Sequence, residues 1–245
     1  VFFVFVLRTP LGGAMASYRV EGTVGVLTMD DGKMNSFSWD MIKSFHAALD
    51  ACEQDDTKAL VIAGNQKAFS AGFDLNVMRG GDAAKRGELV AEGGRVMMRV
   101  YGFKKPVVMA ATGHGLALGA VLLLAGDVRI GPASGKAKFG LNEVAIGMVL
   151  PEYGWQLAKQ RCGTSYSRVA TQATIYAGPD AATVGLLDWT VQGDVFQAAL
   201  QEATRLAGHV TQPAFGKSKD IERAALIEAV LANLEKDVLG TFSKL

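Results

Sequence analysis

The chain has 245 residues, 49% of them hydrophobic, and a formal net charge of +1. That length can bury a large core, and so balanced a charge gives no electrostatic reason to expect nucleic acid or an acidic membrane surface as a partner. The two cysteines, Cys52 and Cys162, form neither a disulfide framework nor a zinc pattern, and read as reduced buried thiols of a cytoplasmic protein.

Residues 1–7 are apolar and β-prone but too short to span a bilayer, and no positive charge precedes them as in a signal peptide. Residues 1–14 are expected to be a non-catalytic extension. Residues 18–20 and 24–29 read as a hairpin about Glu21-Gly22-Thr23. Ser38 is the expected N-cap of a helix over 39–53, in which Met41, Ile42, Phe45, Ala48, Leu49 and Cys52 form a core face and His46 is a packing residue beside it. A buried strand over 59–63 leads through Lys67-Ala68-Phe69-Ser70 to a turn at Gly72, and a helix follows from about 87 to 103. A second apolar run, 107–110, leads through Gly113, His114 and Gly115 to Gly119 and an apolar helix over 120–125.

The succession of β, β, α units predicts an α/β spiral of strands and helices. No strand leads into GxGxxG, so a nicotinamide site is not expected. Two strand-to-glycine turns can supply two backbone N–H donors to one oxygen, the arrangement of an oxyanion hole. Past them, Glu143 stands alone in an apolar context as a candidate acid or base. Residues 155–161, 165–171 and 179–187 are expected to be helical, the last with Pro179 in its first turn. Amphipathic helices over 195–208 and 221–239 have no evident sheet left to cover, which predicts packing on a neighbouring subunit.

Three stretches, AFSAGFDL at 68–75, GHGLALGAVLLLAGDVRI at 113–130 and FGLNEVAIGMVLP at 139–151, resemble the enoyl-CoA hydratase/isomerase (crotonase) superfamily. LNEVAIGM is similar to a bacterial hydratase-like subgroup. The resemblance implies the ClpP/crotonase-like spiral of ββα units over residues 15–190, a C-terminal helical trimerisation region over 191–245, and a homotrimer or hexamer. It implies an acyl-CoA substrate, no metal and no cofactor beyond the CoA carried by the thioester. The oxyanion donors it implies are the amides of Phe73 and Leu118. CoA would run along Met34, Asn35, Ser36, Ala68, Ala71, Gly72, Phe73, Asp74, Leu75 and Gly119. The variable middle segment lines the family's acyl pocket, to which Met78, Val96, Met97 and Val100 could contribute, but their Met-rich apolar face reads first as plain core.

The family's hydratases use two glutamates. The first position falls on Val121 here and the second on Glu143. One carboxylate suffices to move a double bond, so a single-glutamate isomerase is the first reading. Hydration with another group such as Glu152 is the alternative, and a non-catalytic CoA-thioester-binding protein is a further one. Burial among Leu141, Val144 and Ile146 is expected to hold Glu143 near neutrality, the structural alternative being an ion pair with Lys138. Glu152 is expected to face outward as a first-turn residue, and His114 to make a structural hydrogen bond.

Overall fold

The computed structural model describes residues 14–241, and side chains as far as residue 234, so the expectation for residues 1–14 lies almost wholly outside the described residues. The hairpin strands β1 (Ala16–Glu21) and β2 (Val24–Met29) pair antiparallel, with Glu21 opposite Val24. Along the chain come β3 (Ala59–Ala63), β4 (Ala68–Ser70), β5 (Val107–Ala110), β6 (His114–Leu116), β7 (Val128–Pro132), β8 (Lys138–Gly140), β9 (Tyr176–Ala177) and β10 (Trp189–Val191). They form a six-stranded sheet in the order β1-β2-β3-β5-β7-β10 and a four-stranded sheet in the order β4-β6-β8-β9. Successive passes of the chain add one parallel strand to each sheet, β3 then β4, β5 then β6, β7 then β8, and this stacking is the spiral.

The helices are α1 (Trp39–Gln54), α2 (Leu75–Met78), α3 (Ala83–Tyr101), α4 (Leu118–Ala125), α5 (Glu152–Cys162), α6 (Tyr166–Ala170), α7 (Gly178–Thr183), α8 (Val195–His209) and α9 (Ala214–Thr241). Ser38 caps α1 by accepting from the Met41 amide, and the six expected core residues of that helix are buried. His46 packs at its edge, its Nδ1 3.0 Å from a guanidinium nitrogen of Arg99. Asp82 accepts from the Lys85 amide, so α3 starts at Ala83, ahead of the expected 87.

The uninterrupted apolar runs of β3 and β5 follow from a sheet covered on both faces. Leu60, Ile62, Val107 and Met109 face the main core, while Ala59, Val61, Val108 and Ala110 face the opposite side. That opposite side is covered by α8 of the same chain through Val195, Ala199 and Ala203. The expectation that α8 lacks a sheet to cover is thereby corrected, because sequence shows the strands' apolar runs but not that each presents two faces. Helix α9 packs on α3, with Val230 and Leu234 buried. It begins at Ala214 rather than 221, because its first turns carry Lys219 and Arg223, whose charges mask an inward face. Both are buried, and both pair with Asp127 just past α4 at 2.9 Å. No described helix is long and apolar enough to cross a membrane.

Candidate active site

The site grows from two turns that meet. Between β4 and α2 the chain runs beside residues 34–37: Ala71 donates to the Met34 carbonyl (2.9 Å), Phe37 to the Gly72 carbonyl (2.8 Å), and Asp74 to the Phe37 carbonyl (3.2 Å). In such a bridge the intervening residue points its own amide the other way, so the Phe73 N–H turns away from Phe37. At the second turn β6 enters α4 through Ala117 at φ +50°, ψ −128°. Leu118 is the first helical residue, whose amide has no acceptor within the helix. Among the described residues neither the Phe73 nor the Leu118 amide donates to a protein acceptor.

Glycines allow this approach. Gly72 has φ +100°, and a Cβ there would lie 2.8 Å from the Ala117 Cβ and 3.3 Å from the Leu118 nitrogen. At Gly119 a Cβ would stand 2.1 Å from the Ser70 carbonyl oxygen, so only glycine lets α4 seat on β4. The Phe73 ring and the Leu118 side chain rest together on α3 at Gly93, where a Cβ would meet Phe73 Cζ at 2.5 Å and Leu118 Cδ2 at 3.4 Å. Gly93→Ala pushes on the side chains that fix both donors. It should lower kcat/KM by about tenfold, a fraction of what a 1 Å misplacement costs, with the fold retained by circular dichroism.

A cavity of about 240 Å³ adjoins these turns, with Phe73, Leu118, Val121, Asn142, Glu143 and Tyr153 among its walls. Glu143 is 7% exposed, its Oε2 has no hydrogen-bond partner, and it makes no ion pair with Lys138 or any other described residue. Burial pushes its pKa from 4.5 up to about 7, slightly offset by its own backbone N–H. The expected source of that burial needs correcting in part. Leu141 is buried and Ile146, though 55% exposed, lines the cavity beside Glu143, but Val144 is 46% exposed and not among the cavity walls. The enclosing walls include Val121 and Tyr153, the latter with its hydroxyl donating to the Val90 carbonyl at 3.1 Å.

A base with this pKa is charged, and competent, only above about pH 7. The kcat/KM of the free enzyme should therefore rise about tenfold per pH unit below that value and level off above it. A profile flat from pH 5 to 8 would show that Glu143 is not the base.

The other expected site residues separate into two groups. Ala71, Phe73, Leu75, Leu118 and Glu143 line the cavity, as do Met78 and Val121. Met34, Asn35, Ser36, Ala68, Gly72, Asp74 and Gly119 are not among its walls. Asn35 is fully buried and donates to the Ala68 and Phe69 carbonyls, which ties residues 34–36 to β4. Asp74 caps α2 by accepting from the Asn76 amide. Val96, Met97 and Val100 are core residues rather than cavity walls, since they lie on faces of α3 turned into the main core. Glu152 is half-buried, accepts from Asn233 on α9 at 3.3 Å and does not line the cavity. His114 accepts from the Lys138 amide at 3.1 Å through Nδ1.

Among the cavity residues not singled out from sequence are Tyr153, Asn142 and Arg79. Asn142, whose Oδ1 is enclosed and without a partner, stands directly before Glu143 in the motif, and that adjacency was the available signal. Arg79 follows a short helix that periodicity does not reveal.

Two unpaired amides and one enclosed carboxylate around a cavity, on a spiral of ββα units, define a crotonase-fold protein equipped to stabilise an oxyanion and move a proton. The family model described as "Enoyl-CoA hydratase/isomerase" matches residues 19–238, and the chain belongs to that family. A probable enoyl-CoA hydratase of Bacillus subtilis is 28% identical over 89% of this chain and 82% of its own. The mitochondrial enoyl-CoA delta isomerase 1 of rat is 27% identical over 89% and 76%. Among solved structures, a Mycobacterium tuberculosis protein titled a probable enoyl-CoA hydratase superposes with TM-score 0.85 at 34% identity, covering 90% of this chain and 93% of its own. A second structure of that protein is titled an enoyl-CoA isomerase.

Proposed function

We propose that this enzyme of the enoyl-CoA hydratase/isomerase family moves the double bond of a 3-enoyl-CoA to the 2 position. The observation that carries the reading is that Glu143 is the one carboxylate lining the cavity among the described residues, with Val121 standing where the family's hydratases carry a second glutamate. Glu143 takes a proton from C2, and the electrons of that C–H bond pass into a dienolate whose oxygen accepts from the Phe73 and Leu118 amides. The proton on Glu143 then goes to C4 as the C2–C3 double bond forms. No atom is gained or lost. CoA enters as part of the substrate, and no other cofactor takes part.

Hydration is the second reading, favoured by the hydratase names of most relatives. It requires a group other than Glu143 to help hold water, and Asn142, with its enclosed unpartnered oxygen, is better placed than the outward Glu152. The test is incubation of the purified protein with a 3-enoyl-CoA and, separately, a 2-enoyl-CoA over several chain lengths. A 2-enoyl product of unchanged mass supports isomerisation. Gain of one water by the 2-enoyl substrate, without turnover of the 3-enoyl one, would replace it with hydration. Binding without turnover of either would leave a thioester-binding protein.

A further inference from the structure

The proposed proton transfer uses Glu143 and two amides, and leaves one charged wall of the cavity without a role. Arg79 follows α2, and among the described residues it is the only cation that lines the cavity. Its backbone is fixed, since its amide donates to the Leu75 carbonyl and the next turn is held by Gly80 donating to Val77 and by Arg86 bonding the Gly80 carbonyl. Its guanidinium makes no ion pair or hydrogen bond with a described residue. Nor does it serve as counterion to the base, because the causes that set the Glu143 proton affinity are burial and its own backbone amide, with no contribution from Arg79. The other ionisable or amide groups of the cavity have stated partners or lie in its interior: Tyr153 bonds Val90, while Asn142 and Glu143 are enclosed.

We propose that Arg79 is a specificity-determining residue that pairs with an anionic group of the thioester substrate at the mouth of the cavity. A guanidinium presents a planar set of donors matched to carboxylate and phosphate oxygens alike. The anion therefore has two chemical sources, a carboxylate at the far end of the acyl group or a phosphate of CoA. The carboxylate is favoured by reach. A pantetheine arm is as long as about four extended residues, ~13 Å, and Arg79 shares a cavity of only about 240 Å³ with the reacting groups. The proposal rests on reading this cavity as a thioester site, but does not depend on which reaction follows.

The test measures binding, by calorimetric titration of Arg79→Gln and Arg79→Lys in a Glu143→Gln background that stops turnover. The probes are a plain 3-enoyl-CoA, the same acyl group on pantetheine without the phosphates, and a 3-enoyl-CoA ending in a carboxylate. Arg79→Gln should weaken at least one anionic probe by about tenfold, the worth of one charge-assisted hydrogen bond, with partial recovery in Arg79→Lys. Weakening confined to the carboxylate-ended probe assigns the acyl chain. Equal weakening of both CoA probes, with the pantetheine thioester unaffected, assigns a phosphate. Affinities unchanged for all three probes would overturn the proposal, and binding of none by the parent would instead remove the thioester reading beneath it.

Discussion

Glu143→Gln should lower kcat for double-bond migration by about 10²–10⁴-fold, while binding of an acyl-CoA stays within a few-fold of the parent. The reason is that, among the described residues, no second carboxylate or imidazole lines the cavity. Val121 is apolar, the Tyr153 hydroxyl is committed to Val90, and Glu152 is held by Asn233 outside it. Gln keeps the shape and polarity of the side chain but cannot take a proton. The same substitution has an opposite effect on stability. The pKa of Glu143 is raised in the folded chain, so its neutral form supports the fold fully below the ordinary value of 4.5, and that support is lost as pH rises through about 7. Glu143→Gln should consequently become more stable than the parent as pH rises across that window, by roughly 3 kcal/mol at pH 8. Denaturant melts at pH 4 and pH 8 measure it, and equal stability differences at both would mean that Glu143 is not enclosed in the folded protein.

Gly72→Ala should cost about 10²–10³-fold in kcat, comparable to removing one oxyanion donor. At φ +100° an added methyl is strained, and it meets the Ala117 methyl at 2.8 Å and the Leu118 nitrogen at 3.3 Å. Relief of that clash must separate the Phe73 turn from the Leu118 turn, the two structures that present the donors. The change does not touch Glu143, so the pH dependence should persist with the same midpoint while the plateau falls. A shifted midpoint would instead indicate that the substitution disturbed the burial of Glu143.

The core of this account was legible in the sequence to the extent that local chemistry dictates it. The strand-to-glycine turn at Gly72 announces a free amide, because glycine permits the positive φ such a turn needs. The second turn reads as centred on Gly113 and Gly115, whereas Gly115 lies in β6 and the turn itself falls at Ala117. Glu143 was visible as a lone carboxylate in an apolar stretch. What sequence did not show depends on which face a side chain takes. Val144 looks like a wall around Glu143, yet it lies off the cavity that Ile146 lines, and the enclosing Tyr153 comes from a helix further along the chain. Asn35 reads as a ligand-contacting loop residue, but its amide fastens that loop to β4. Lys219 and Arg223 conceal the inward face of α9, since a buried cation announces itself only together with its partner, Asp127, far away in the chain.

The most direct test of the central claim, that one carboxylate carries one proton from C2 to C4, follows the proton itself. A 3-enoyl-CoA carrying deuterium at C2 is converted in ordinary water, and the 2-enoyl product is analysed for label at C4. Because Glu143 is enclosed, part of the deuterium should arrive at C4, above the level set by exchange with solvent. Hydrogen drawn from solvent at C4 in every turnover would contradict a single-glutamate shuttle.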